Sequence, residues 1–247
     1  MPIVYSYNIS KGRRDKNDDA VVAVKNIDGD GLAVVCDGIG SHSNAAYSSN
    51  YIIDTLESSW KNSSFDNFSS MKEWLENKID DLNMYLYNKS QESQKKMGTT
   101  FVVIATCKDR VVAINIGDSR GYAISKNNEI KLITVDDSFV GALIDAGVLT
   151  EEEAKNHPEK HTLTQAIAIK DGISKHIFED ELAEYNYFLV CSDGLSNTLS
   201  EEEIKNVVEE EDLSSATKKL IDLSIERGST DNISVAILQN IRGEMND

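Results

Sequence analysis

The chain has 247 residues, 40% hydrophobic and 27% charged, which is enough apolar surface for one large globular domain and excludes disorder as the default state. Its 42 Asp and Glu against 25 Lys and Arg give a formal charge of −17, a field that speaks against nucleic acid and anionic membrane surfaces as partners. The three cysteines lie singly in apolar runs, without metal-ligand spacing, no basic-then-apolar leader precedes residue 10, and no stretch of about 18 apolar residues occurs, so a cytoplasmic protein with buried thiols is expected; separately, a monomer is expected.

Strand-like runs occur at residues 3–9, 20–25 and 32–36, the last two joined by the turn Asp28-Gly29-Asp30-Gly31. Two helical stripes follow. Ala45, Ser49, Ile52, Ile53, Leu56 and Trp60 share one face, and Met71, Trp74, Leu75, Lys78, Leu82, Tyr85 and Leu86 repeat the pattern, with Ser70 and Glu73 spaced as a capping box. Further strands are predicted at 100–107, 111–116, 120–125, 173–178 and 187–191, with short turns at Lys108-Asp109 and Lys126-Asn127-Asn128. Helices over 201–208 and 214–227 precede a last strand at 233–238. Hairpin-linked strands with helices inserted in pairs predict an α+β architecture in a single domain spanning 1–247. Acid runs such as Glu201-Glu202-Glu203 read as solvated helix faces.

Four aspartates stand beside small, backbone-permissive residues: Asp37-Gly38-Ile39-Gly40, Gly117-Asp118-Ser119-Arg120, Ser192-Asp193-Gly194 and Thr230-Asp231-Asn232. Three of them end an apolar run, where a fold can converge carboxylates, and converging carboxylates repel unless a cation lies between them. A hard divalent metal site is the leading reading. An Asp-Gly pair taken singly is equally a tight-turn signal, and Arg14-Asp15-Lys16-Asn17-Asp18-Asp19 is either a phosphate-binding arginine beside acidic residues or a solvated charged loop.

In chain order, Arg14-x-x-Asn17-Asp18-Asp19, Asp37-Gly38-Ile39-Gly40-Ser41-His42, Gly98-Thr99-Thr100, Gly117-Asp118-Ser119-Arg120, Ser192-Asp193-Gly194 and Asp231-Asn232 resemble the metal-dependent PP2C (PPM) family of serine/threonine protein phosphatases nearly end to end. The resemblance implies a four-layer α-β-β-α sandwich of two antiparallel sheets, with two Mn²⁺ or Mg²⁺ ions, and a third more weakly held, in a cleft at one end. It implies that Asp37 bridges two metals with the Gly38 carbonyl on the first, that Asp193 and Asp231 bind the second, and that Asp118 joins Asp193 at the third. Asp18 and Asp19 resemble the pair that organises the cluster through waters, and Arg14 the phosphate-binding arginine, with Arg13 the adjacent alternative. His42 resembles the general acid. The implied reaction is attack of a metal-activated water on phosphoserine or phosphothreonine of proteins, without a covalent phosphoenzyme, opposing a Ser/Thr kinase.

The sequence departs from the family pattern mainly between residues 136 and 174, the variable flap of the family. Aspartate stands in Asp136-Asp137-Ser138 where histidine is frequent, and Ala168-Ile169 follows Gln165-Ala166-Ile167 where glycine is usual. His157, His161 and His176 in and beside this segment have no metal-ligand spacing and read as surface or helix-end residues. Two other readings remain: a phosphoprotein-binding or regulatory domain of the same fold, and a small-molecule phosphatase.

Overall fold

The computed structural model describes residues 3–40, 43–160 and 162–241. In chain order the elements are β1 (Ile3–Ser10), β2 (Asp19–Lys25), β3 (Gly31–Gly40), α1 (Ser43–Lys61), α2 (Phe68–Ser93), β4 (Met97–Thr99), β5 (Phe101–Cys107), β6 (Arg110–Ile116), β7 (Arg120–Ser125) and β8 (Ile130–Leu132). There follow α3 (Phe139–Asp145), α4 (Glu151–Lys155), β9 (His176–Glu181), β10 (Tyr185–Cys191), α5 (Asp193–Ser196), α6 (Glu201–Glu210), α7 (Leu213–Glu226) and β11 (Ile233–Asn240). One sheet runs β1-β11-β10-β7-β8 and the other β2-β3-β5-β6-β9, with β4 paired to the end of β3. Every strand pairing is antiparallel.

The α-β-β-α layering expected from the sequence is present, and alternation along the central strands builds it. In β3, Leu32, Val34 and Cys36 face the helices α1 and α2, while Ala33 and Val35 face the opposite sheet. In β11, Ile233, Val235 and Ile237 face α6 and α7, while Ala236 and Leu238 enter the space between the sheets. Both faces of these strands are covered, so they read in the sequence as continuous apolar runs rather than as alternation. Each fully buried Val, Leu or Ile contributes on the order of 1.5–3 kcal/mol, which makes the register of these strands costly to shift. All three cysteines are buried free thiols, as expected.

Several local expectations are corrected. The second helix begins three residues early: Asn67 is its cap, with Oδ1 accepting the Ser70 N–H at 3.0 Å and the Ser70 hydroxyl accepting the Asn67 N–H in return, so Ser70 holds the position assigned to Glu73. Asparagine and serine satisfy the same two orphan donors as the expected serine and glutamate. On that helix Ile79, not Lys78, fills the core, and Tyr85 is exposed. The strand expected at 173–178 lies at His176–Glu181, an edge strand with one face toward solvent, so only alternate residues needed to be apolar. The short β4, β8, α3 and α4 were not anticipated, since three to seven residues carry too few periods to read.

Candidate metal centre

Register brings the aspartates to one end of the sandwich. Asp19, the first residue of β2, pairs with Asp37 near the end of β3. The end of β3 neighbours the start of β5, which pairs with Ile116 at the end of β6, two residues before Asp118. In the other sheet Cys191 pairs with both Arg120 and Val235, so Asp193, which opens α5, and Asp231, which precedes β11, project from that same end.

Asp19 is 3% exposed, and its Oδ2 accepts the Ser192 hydroxyl at 2.8 Å and the Ser234 hydroxyl at 2.7 Å. Its buried Oδ1 has no hydrogen-bond partner. Its carboxyl is raised to about 7, chiefly by burial, with the charges of Asp193 and Asp231 adding to the rise and the two hydroxyls pulling against it. Asp37 is raised well above the ordinary carboxylate range by burial and then by Asp19, Asp193, Asp118 and Asp231. Asp118 is raised to about 7 by burial, with Asp193 and Asp136 adding repulsion. Asp18 and Asp19, adjacent in sequence, are placed differently. The backbone of Asp18 is held firmly: its N–H donates to Asn232 Oδ1 at 2.8 Å, and its carbonyl accepts the Ser49 hydroxyl at 2.6 Å and the Gly38 N–H at 3.1 Å.

Neither Asp-Gly pair forms the tight turn that its dipeptide suggests. Gly38 lies within a strand and Gly194 within a helix, and each is required by close approach. A Cβ on Gly38 would come within 2.6 Å of the Ala45 and Asp18 carbonyl oxygens, and one on Gly194 within 2.0 Å of the Asn232 carbonyl oxygen.

Arg14, rather than Arg13, reaches the cluster: its Nη2 lies 2.8 Å from Asp231 Oδ2 and its Nε donates to the Thr230 carbonyl at 3.1 Å. Asp231 Oδ1 accepts the Asn232 N–H at 2.8 Å. Asn197 Nδ2 donates to Asp193 Oδ2 at 3.1 Å. Among the described residues no three acidic, His or Cys side chains close on one common point, in keeping with Asp231 being turned to Arg14. His42, with Ser41 and His161, lies outside the described residues.

Several residues to which the sequence assigned no role support the site. Thr100 Oγ1 accepts the Asp37 N–H at 2.9 Å and lies 2.7 Å from the Ser119 hydroxyl, while Thr99 Oγ1 donates to the Asp37 carbonyl at 2.8 Å. Asp137, in the segment Asp136-Asp137-Ser138 that departs from the family pattern, accepts the Gly117 N–H at 2.9 Å and Gln165 Nε2 at 3.0 Å, and lies 2.9 Å from His176 Nε2. It ties the segment after β8 to the turn that carries Asp118. His176, read as a surface residue, is therefore a partner of this support. Its signal lay in the departure at Asp137; Thr99, Thr100 and Ser119 stand in motifs that carry the resemblance, but nothing local showed which group each would hold.

The donors present fit a hard divalent cation. A buried orphaned carboxylate oxygen and mutually repelling carboxyls are what a cation between them would compensate, and an all-oxygen set favours Mg²⁺ or Mn²⁺ over Zn²⁺.

Residues 9–233 match the family model described as protein phosphatase 2C. Protein phosphatase PhpP of Streptococcus pneumoniae is 32% identical over 228 residues, covering 92% of this chain and 92% of the relative. Among solved structures, serine/threonine phosphatase Stp1 from Staphylococcus aureus superposes with a TM-score of 0.90 at 34% identity, covering 98% of this chain and 96% of that one. The catalytic domain of the serine/threonine protein phosphatase PstP, in complex with 2 manganese ions, superposes with a TM-score of 0.84 at 26% identity over 96% of this chain and 98% of its own. With its layers, its strand-end aspartates and a family match over almost its whole length, the chain belongs to the protein phosphatase 2C family.

Proposed function

We infer that this chain is a metal-dependent serine/threonine protein phosphatase. The observation that carries the reading is the group of mutually repelling carboxyls at one sandwich end, with the buried Asp19 Oδ1 orphaned. Asp37 and the Gly38 carbonyl, with Asp193 and Asp231, would hold two Mn²⁺ or Mg²⁺ ions, and Asp118 with Asp193 a third. Such ions, when bound, supply an acidified water and neutralise phosphoryl charge.

The protein's own groups do the rest. Asp19, fastened by Ser192 and Ser234, keeps negative charge behind the cluster, and Thr99 and Thr100 fix the backbone of Asp37 on both sides. Arg14 uses Nη2 and Nε on Asp231 and Thr230, which leaves Nη1 to meet a phosphoryl oxygen. His42 would donate a proton to the departing alkoxide. No covalent phosphoenzyme is required: Cys36 and Cys191 flank the site, but burial pushes both thiols up and leaves them poor nucleophiles. Phosphorylated proteins are the substrates and a Ser/Thr kinase the opposing enzyme, in a single-domain cytoplasmic monomer whose residues 136–174 form the flap. Among the described residues no helix is long and apolar enough to cross a membrane.

The test is turnover of a phosphothreonine peptide and of free phosphoserine with Mn²⁺, for the natural chain and for Asp193→Asn. Turnover of the peptide well above the free amino acid is expected. The substitution should weaken Mn²⁺ binding by more than the roughly 10- to 100-fold that losing an outer-shell partner costs, with the fold intact. Preferential turnover of free phosphoserine would favour a small-molecule phosphatase, and binding without turnover a regulatory domain.

A further inference from the structure

Residues 11–16 hold four of the chain's 25 Lys and Arg and only one of its 42 Asp and Glu. In a molecule of charge −17 this loop is a positive island, and it is fastened to the metal-site end of the sandwich. Asn232 Nδ2 donates to the carbonyls of both Lys11, at 3.0 Å, and Lys16, at 2.9 Å, so the two ends of the loop converge on one nitrogen next to Asp231. Within the loop, the Arg14 N–H donates to the Lys11 carbonyl at 3.1 Å and the Gly12 N–H to the Ser10 hydroxyl at 3.1 Å. Arg14 turns in to Asp231. The side chains of Lys11, Arg13 and Lys16 stay exposed, without a carboxylate partner among the described residues.

We propose that this pinned loop selects phosphoprotein segments carrying acidic residues within about three positions of the phosphorylated one. The proposal rests on the phosphatase reading above and adds the kind of substrate. An extended peptide advances about 3.3–3.6 Å per residue, so three positions span roughly 10 Å, and both lysines leave the backbone one hydrogen bond away from the neighbour of Asp231. The net negative charge of the molecule does not cancel the attraction, because at physiological salt charges beyond about 8 Å are screened and the nearest ones decide. A nucleic acid or membrane surface is disfavoured for the converse reason: either would extend past six residues onto acidic surface. Because hydrogen bonds already hold the loop, little of its own freedom is lost on binding.

The experiment compares two phosphothreonine peptides of one sequence, flanked by two Glu or by two Gln, with the Mn²⁺-loaded full chain. The acidic peptide is expected to have a kcat/KM about three- to tenfold higher, carried by KM, which is the size two exposed ion pairs give, and the ratio should approach one at about 0.5 M NaCl. Lys11→Gln with Lys16→Gln should abolish the ratio while leaving p-nitrophenyl phosphate turnover unchanged, since Asn232 holds the backbone carbonyls of these residues and not their side chains. Equal kcat/KM for the two peptides, a ratio that survives the double substitution, or an equal loss on the aryl phosphate would each overturn the proposal. Absence of turnover on peptides and aryl phosphate alike would instead refute the phosphatase reading beneath it.

Discussion

Removing the charge of Asp19 is the sharpest test of how this site is built. Its carboxyl is pushed from 3.8 up to about 7, chiefly by burial, while the unfolded chain keeps the ordinary value. Between those values the folded state holds the proton and the unfolded state does not. The contribution to stability is therefore complete below about pH 4 and is lost as pH rises through about 7. At about 1.4 kcal/mol for each tenfold in proton affinity, the difference amounts to about 4 kcal/mol for Asp19. Asp37 and Asp118 are raised in the same sense, but relieving one charge relieves its neighbours, so the penalties do not add. Urea unfolding of chelator-treated protein should thus show stability falling by several kcal/mol between about pH 5 and about pH 8. In Asp19→Asn the carbonyl oxygen keeps the Ser192 and Ser234 bonds and the slope should flatten, while any cost of the new buried amide is the same at every pH. Saturating Mn²⁺ should flatten the natural chain as well, because a cation competes with the protons. A metal-free protein whose stability is level or rises over this range would refute the reasoning.

Two further outcomes follow from the surroundings of the site. Ala168, 3% exposed, holds φ at +70°, a left-handed conformation costing about 1–2 kcal/mol for an L residue, and its N–H donates to Asn83 Oδ1 at 2.8 Å. Set against the roughly 0.5–1 kcal/mol by which glycine loosens the unfolded chain, Ala168→Gly should stabilise by about 0.5–1 kcal/mol and raise Tm by about 1–4 °C, and a lowered Tm would mean that the methyl group packs for more than the strain costs. Asn232→Ala loses three bonds, to the Lys11 and Lys16 carbonyls and from the Asp18 N–H, and should cost about 2–3 kcal/mol. Trypsin should then cut within residues 11–16 long before the rest of the chain opens; cleavage that only tracks global unfolding would show that Asn232 does not hold the loop locally.

The layers were legible because local patterns carry them. Buried strands such as Phe101–Cys107 appear as unbroken apolar runs, and the stripe from Ala45 to Trp60 repeats at the helical period. Misreadings cluster where the local signal is thin or has equivalents. Asn67 with Ser70 caps a helix as well as Ser70 with Glu73 would, and an edge strand such as His176–Glu181 needs apolar residues on one face only. The departure at Ala168 was visible in the sequence, but that the position still adopts the glycine conformation was not.

By itself the sequence determined the α+β architecture and the candidate aspartates, since these are written in spacings of a few residues, and the order of its motifs along the chain carried the resemblance to the family. Tertiary structure decided that Asp19 is buried between two serines while the backbone of Asp18 is held by Asn232 and Ser49, that Gly38 and Gly194 relieve close contacts instead of forming turns, and that Asn232 gathers a basic loop beside Asp231. The physical reason is register. Periodicity depends on neighbours a few positions away, whereas Asp19 meets Ser192 and Ser234 only because two sheets pack face to face, with strands from opposite ends of the chain brought to one edge by the burial of the core between them.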